Sequence, residues 1–273
     1  MLAKLRSTLF EDITSQGFCA QPVHPDFLGQ RLPHILQGMQ RITEHPKEQK
    51  YFPWQTLPAD LYGQDQAIEY GLRLPEAGKP PKYVFHYVCG IESLLEGWVP
   101  QNQYKPFLWA LHGVATWSHK LAIAAAAQFD QNNCGVYSGS LAERLQQGQV
   151  VVRVLRYKHT QDTCAQTHFD RSLLTLHLHA SHPGLVLFGP DNTPHEFPET
   201  AHGLVAIFPG AKFIGATGGA YGPLTPHGVR ASEASDDRYA LVSFIHPKAV
   251  EGDVKIWRDM QPYLRDTAAR LAV

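Results

Sequence analysis

The chain is short of several things at once. Its 273 residues include only four cysteines, Cys19, Cys89, Cys134 and Cys164, widely scattered and with no C-x-x-C pair. That pattern gives no disulfide framework and reads as reduced thiols in a cytoplasmic protein. No apolar run approaches the length of about eighteen residues that spans a bilayer. Ala122–Ala127 is short and flanked by Lys120 and Gln128. The opening Met1-Leu2-Ala3-Lys4-Leu5-Arg6 lacks a long apolar stretch and soon meets Glu11 and Asp12, so it does not read as a signal peptide. Excess charge is also missing. A net charge of -1 provides no bulk attraction to nucleic acid or to an anionic membrane. Neither repeats nor a low-complexity tail are present. Gly218-Gly219 is no phosphate loop, because no Lys-Ser/Thr and helix follow it.

What is present suits a globular enzyme or binding protein. Hydrophobic residues make up 44% of the chain, ample for a core, and the length suits one large domain or two smaller ones. Residues 1–60 read as a short helical opening, then Gly17-Phe18-Cys19-Ala20, then a helix from Asp26 through Leu36, Met39 and Ile42. Residues 53–83 are rich in Pro and Gly and predict a long irregular surface segment. Tyr62, Tyr83, Phe85 and Tyr87 there either face a substrate or pack beneath the loop. Residues 104–130 are the clearest helix, with Trp109, Val114, Trp117, Leu121, Ala124 and Ala125 recurring at three- and four-residue steps. It is expected to be the scaffold on which a sheet packs, with His112 and His119 on its polar face. One more short helix is expected within 137–148.

From Val150 onward the chain reads as strands: 150–157, 172–179, 184–188, 203–208, 211–216, 225–231 and 238–245. That many short strands, with turns between, predict a double-sheet jelly roll enclosing a ligand cavity. Residues 253–271 close the chain as a helix interrupted near Pro262.

One stretch organises the rest. Thr167-His168-Phe169-Asp170 runs into Arg171-Ser172-Leu173-Leu174-Thr175-Leu176-His177-Leu178, whose tail alternates as a half-buried strand does. Residues i and i+2 of a strand share a face. His168 and Asp170 therefore present an imidazole and a carboxylate to one point. A second imidazole would complete the two-His-one-carboxylate face that suits Fe(II) and leaves positions open opposite. His227, in Thr225-Pro226-His227-Gly228-Val229, is the candidate, and Arg238 follows it by eleven positions. Glu233–Asp237 reads as a turn that would make His227 and Arg238 neighbours across a hairpin. His177, His179 and His182 form a further cluster. They read as solvent-facing strand residues by default, with a zinc site as the sharper alternative and His177 as a possible lining of the cavity.

This ordered set resembles the isopenicillin-N-synthase-like family of Fe(II)/2-oxoglutarate oxygenases. The likeness is carried by H-x-D with its Leu-Leu-Thr-Leu strand at 168–178, by Pro183-Gly184-Leu185-Val186, by Gly203–Gly210, by Thr225-Pro226-His227, and by Arg238-Tyr239-Ala240-Leu241. It covers residues 150–247, more faintly 17–130, where Gly17-Phe18 and Lys82-Tyr83-Val84-Phe85 are similar to family segments. The resemblance implies one oxygenase domain over 1–273. Its parts would be a mostly helical region (1–149), a double-stranded β-helix (jelly-roll) core carrying the iron site (150–247), and a C-terminal helix (248–273). It implies Fe(II) on His168, Asp170 and His227, with 2-oxoglutarate and O2 as co-substrates. Arg238 and Tyr157 would anchor the far carboxylate of 2-oxoglutarate, with Arg230 and Arg156 as alternative cations. The expected reaction is hydroxylation or desaturation of a small molecule, releasing succinate and CO2. Neither substrate identity nor oligomeric state leaves a motif in the chain.

One position departs from the family. Ala240 stands where a Ser hydroxyl is expected, and one hydrogen bond to the co-substrate would be lost, at a cost of about 1 kcal/mol. Thr225 and Ser243 are the candidate replacements. The gap keeps two alternatives open: an oxidase of the same fold that uses O2 without a keto acid, and a catalytically silent jelly-roll binding or sensor protein.

Overall fold

Alternation along a few β-branched strands builds both the scaffold and the site. The computed structural model describes residues 5–23, 25–57, 68–79, 81–95, 101–158, 165–197, 203–219, 224–231, 236–248, 266–267 and 269–271. The predicted C-terminal helix over 253–271 therefore lies almost wholly outside the described residues, as do Tyr62, Cys164 and His202.

The strands are β1 (Cys19–Pro22), β2 (Gln55–Leu57), β3 (Ile68–Arg73), β4 (Lys82–Val88), β5 (Gln149–Tyr157), β6 (Ala165–His168), β7 (Leu174–Ala180), β8 (Leu185–Phe188), β9 (Pro194–Glu196), β10 (Leu204–Pro209), β11 (His227–Val229) and β12 (Arg238–His246). They form two antiparallel sheets. The large one has the order β1-β10-β7-β12-β5-β4-β3-β2, and the small one β6-β11-β8-β9. This is the expected jelly roll. The helices are α1 (Leu9–Gln16), α2 (Pro25–Gly29), α3 (Leu32–Glu44), α4 (Pro46–Gln49), α5 (Ile91–Leu95), α6 (Gln101–Gln131), α7 (Leu141–Gln146) and α8 (Ala211–Thr217).

The central strand β5 is buried on both faces, as a strand between a helix layer and a second sheet must be. Val150, Val152 and Val154 turn towards α6, which packs across β5 and β12. Val151, Arg153, Leu155 and Tyr157 turn inward. Where β5 and β12 meet α6, the apolar packing holds one self-contained polar pair, Ser118 Oγ and Ser243 Oγ at 2.9 Å, while Arg156, further along β5, binds Thr43 and Glu44 of α3. Each fully buried Val, Leu or Phe on that side contributes about 1.5–3 kcal/mol. Trp109 departs from the expected apolar face of α6: it is 59% exposed and receives the Arg31 guanidinium over its ring. Val114, Trp117 and Leu121 are buried as expected.

Three further expectations are corrected. The segment 53–83 is not irregular throughout, because residues 55–57 and 68–73 and the start of 82–88 form β2, β3 and β4, which extend the large sheet beyond β5. Proline and glycine punctuate the links between these strands rather than replacing them, and the region before 150 is less helical than expected. Residues 211–216 form helix α8, not a strand; Gly210 starts it and Gly218, in the left-handed region, ends it. His227 and Arg238 are not neighbours across a hairpin. β11 pairs with β6 and β8 in the small sheet, whereas β12 pairs with β5 and β7 in the large one. The chain crosses from one layer to the other between them.

Candidate metal centre and co-substrate site

Two strands of the small sheet bring the imidazoles together. His168 ends β6, His227 begins β11, and the two are direct register partners. Their ring centroids lie 4.4 Å apart. Asp170 is not on the strand, contrary to the simple alternation argument. It sits in the link 169–173, and β6 and β7 lie in different sheets. The link is held from beneath by the start of α8: Ala211 N–H donates to Asp170 O (2.7 Å) and Gly210 N–H to Leu173 O (2.9 Å). A Cβ at Gly210 would collide with the carbonyl oxygen of Ser172, so only glycine allows this approach.

The geometry is that of a cation site. Asp170 Oδ2 lies 3.3 Å from His227 Nε2, and Asp170 Oδ1 lies 3.8 Å from His168 Nε2. One ligand atom from each of the three residues falls within 4.8 Å of the others. His168 Nδ1 is 2.8 Å from Gln166 O, and His227 Nδ1 is 3.3 Å from Thr225 O. A carbonyl only accepts, so each Nδ1 carries the proton and each Nε2 lone pair points at Asp170. That is the tautomer a metal ligand needs. Thr175 Oγ1 donates to Asp170 Oδ2 (2.8 Å) and is itself bonded to Ser172 Oγ (2.8 Å), which orients the carboxylate. Burial alone would raise the Asp170 carboxyl, but His227, His168 and the Thr175 hydroxyl hold it below its ordinary value. The His168 imidazole is pushed down to about 4, first by the protein around it and then by His227. Neutral imidazoles and an ionised carboxylate are a donor set that fits Fe(II).

The two residues expected to anchor the co-substrate lie in the large sheet. Arg238 opens β12, is 2% exposed, and donates from Nε to the carbonyls of His182 (3.2 Å) and Pro183 (3.3 Å). Tyr157 is its register partner on β5, with the guanidinium carbon 5.5 Å from the ring centroid. Sequence expectation and structure thus bring Arg238 and Tyr157 together. The alternative cations are engaged elsewhere. Arg156 is bound by Glu44 and Asp237 on the outside of the sheet, and Arg230 pairs with Glu196. The candidate replacements for the missing hydroxyl at Ala240 are likewise committed. Thr225 Oγ1 donates to Gly17 O, and Ser243 faces α6.

His177 is not a solvent-facing residue. It is buried on β7 opposite Val242, and among the described residues its Nδ1 has no hydrogen-bond partner. Burial, then the charge of Arg238, then His227 push its imidazole down to about 3. His179 is held at about 4 by burial and Arg238. A neutral, unsatisfied imidazole between a buried guanidinium and the metal face fits a polar dianion such as 2-oxoglutarate.

Two residues beside the metal face escape sequence reasoning. Arg153 and His86 line a cavity of about 300 Å³ together with His168, Asp170, Phe169 and Phe244. The alternation does hold a signal for them. Arg153 shares the parity of Tyr157 on β5, and His86 that of Lys82 on β4. The aromatic residues Phe85 and Tyr87, considered as substrate contacts, point the other way and are fully buried.

No protein-family model and no curated protein matches the sequence. Solved structures do match in fold. A Shewanella oneidensis protein provisionally described as an oxygenase superposes with a TM-score of 0.71 at 19% identity, over 93% of this chain and 94% of its own. The dioxygenase for auxin oxidation 1 from Arabidopsis thaliana, in complex with 2-oxoglutarate, gives 0.64 at 15% identity over 88% and 86%. A full-length Neurospora crassa protein in complex with alpha-KG and thymine gives 0.64 at 17% identity over 90% and 82%. The chain thus carries the jelly-roll fold of the 2-oxoglutarate–Fe(II) oxygenases, the fold that its sequence motifs lead us to expect.

Proposed function

We propose that the chain is an Fe(II)- and 2-oxoglutarate-dependent oxygenase that hydroxylates or desaturates a small molecule. The observation that carries this reading is the convergence of His168, Asp170 and His227, with both Nε2 lone pairs aimed at the carboxylate. These three residues would hold Fe(II). Arg238, with Tyr157 beside it, would hold the far carboxylate of 2-oxoglutarate, since a guanidinium fork suits a carboxylate. Bound iron with 2-oxoglutarate and O2 supplies the oxidation, releasing succinate and CO2, so no protein base is needed. Thr175 keeps Asp170 oriented and His177 stays neutral against the co-substrate. Phe169 and Phe244 shield the cavity beside the metal face. The large sheet draws strands from both halves of the chain, which supports a single domain over 1–273.

The test is anaerobic titration of Fe(II) and 2-oxoglutarate into the purified protein, followed by the weak visible charge-transfer band of a keto acid chelated to iron. The band is expected, and loss of it in His168→Ala and Arg238→Met is expected too. Keto-acid-dependent succinate release then follows turnover. The oxidase reading is favoured by one observation: neither candidate hydroxyl, Thr225 or Ser243, replaces the one missing at Ala240. Iron binding without the band would move that reading ahead.

A further inference from the structure

The cavity beside the metal face carries a cation that the proposed chemistry does not use. Arg153 projects from β5 into the cavity, on the same strand face as Tyr157 but four residues earlier. Its Nε donates to His86 Nε2 at 2.7 Å, and its guanidinium carbon lies 4.4 Å over the Phe244 ring. His86 Nδ1 is 3.1 Å from Glu69 O, a carbonyl that only accepts. Nδ1 therefore carries the His86 proton, and Nε2 is free to accept from Arg153. Burial, then Arg153 itself, keep that imidazole neutral, well below its ordinary range. One nitrogen and one face of the guanidinium are thus fixed. The two terminal NH2 groups are left as a preoriented fork; Asp170 and Glu69 attract the guanidinium from a distance, but among the described residues no carboxylate reaches it within 4.0 Å.

Charge accounting sharpens the point. Fe(II), Asp170, Arg238 and the two carboxylates of 2-oxoglutarate would together be neutral, and among the described residues the cavity wall sets the single carboxylate of Glu69 against both Arg153 and Arg171, which leaves one positive charge in excess. The Glu69 carboxylate also accepts from the Trp54 indole at 3.3 Å, which orients it away from a direct ion pair without cancelling its charge. A second hollow of about 300 Å³ meets the first at His86 and Arg153. Besides Glu69, which lines both hollows, it holds Glu76, already shared by Arg73 and Lys79. A partly buried guanidinium held in this way is favoured by an anion in the cavity.

We infer that the site takes a small organic anion as substrate, a carboxylate on an apolar or aromatic frame. Arg153 grips the carboxylate through its terminal NH2 groups, while Ile68, Val151 and Phe169 cover the frame. What is done to that anion rests on the oxygenase reading; its capture does not.

The experiment measures binding of 4-fluorophenylacetate and of its neutral twin 4-fluorophenylacetamide by fluorine NMR, with saturating 2-oxoglutarate present. The acid is expected to bind at least tenfold more tightly than the amide. Arg153→Met should erase that preference, Arg153→Lys should keep part of it, and Arg238→Met should leave it intact. The iron–keto-acid band should survive in Arg153→Met. Equal binding of acid and amide by the unaltered protein overturns the inference, and that result needs no variant to fold. Loss of the band in a folded Arg153→Met protein also overturns it, because Arg153 would then be a co-substrate anchor. An acid preference in a protein that never shows the band supports the anion site while removing the oxygenase reading.

Discussion

The two faces of the large sheet use the same strands for opposite ends. On the helix side of β5 and β12, Val150, Val152, Val154, Leu241 and Ile245 are buried against α6, the Ser118–Ser243 pair there satisfies itself, and Arg156 beyond it is paired with Glu44 and Asp237. On the inner side, one residue along in each case, stand Arg153, Tyr157, Arg238 and Phe244, with His86 and His177 on neighbouring strands. That face holds guanidinium and imidazole groups, and among the described residues the Nδ1 of buried His177 has no hydrogen-bond partner. Stability and chemistry are thus separated by a single step of the pleat, and a substitution should affect one or the other according to its parity.

The largest effect is expected at the metal face. His168→Ala should weaken Fe(II) binding by more than the roughly 10–100-fold that loss of a supporting hydrogen bond costs. Circular dichroism should remain unchanged; a folded variant that still binds iron normally breaks the assignment. On the other face, Leu241→Ala removes a fully buried side chain and should cost about 2–5 kcal/mol in urea unfolding. Iron affinity of the folded fraction should stay the same. If Leu241→Ala instead abolished metal binding without loss of stability, the division between the faces would fail.

The buried histidines predict acid sensitivity. His177 titrates at about 3 when folded, because burial and Arg238 oppose its protonation. Unfolded, it takes up a proton near pH ~6.5. Between those values the unfolded chain holds more protons, so stability falls as the pH drops below about 6.5 and stops falling near 3. This histidine contributes up to about 1.4 kcal/mol per pH unit. Urea unfolding of the metal-free protein across that range should show a shallower decline in His177→Leu, and an unchanged slope counts against this assignment. The smallest effect sharpens the comparison from the inner side. Ala240→Ser restores the missing hydroxyl and should tighten 2-oxoglutarate by about 1 kcal/mol, or roughly fivefold, in calorimetric titration. No gain would mean that residue 240 does not reach the co-substrate.

Much of the site is legible from residues alone. Motif order and the resemblance it carries single out His168, Asp170, His227, Arg238 and Tyr157; the structure gathers the first three within 4.8 Å and makes the last two register partners. These positions are readable because a metal face demands particular residue types, and a strand pair repeats their spacing. Arg153, His86 and the depth of His177 are not readable in this way. Their side chains carry no motif, and Phe85 and Tyr87 draw attention to the wrong side of β4. Helix α8 reads as a strand because seven residues of mixed propensity carry no decisive period.

A plausible metal face, the jelly-roll class and the scaffold helix follow from local pattern: residue type, a period of two or of 3.6, and the spacing of a few motifs. Other features depend on pairings distant along the chain. The crossing that places His227 in one sheet and Arg238 in the other is one. The extension of the large sheet by β3 and β4 is a second, and the meeting of Arg153 with His86 and Phe244 a third. Alternation dictates that neighbouring side chains part, but which side becomes cavity and which becomes core is settled only when sheet, helix and second sheet close on one another.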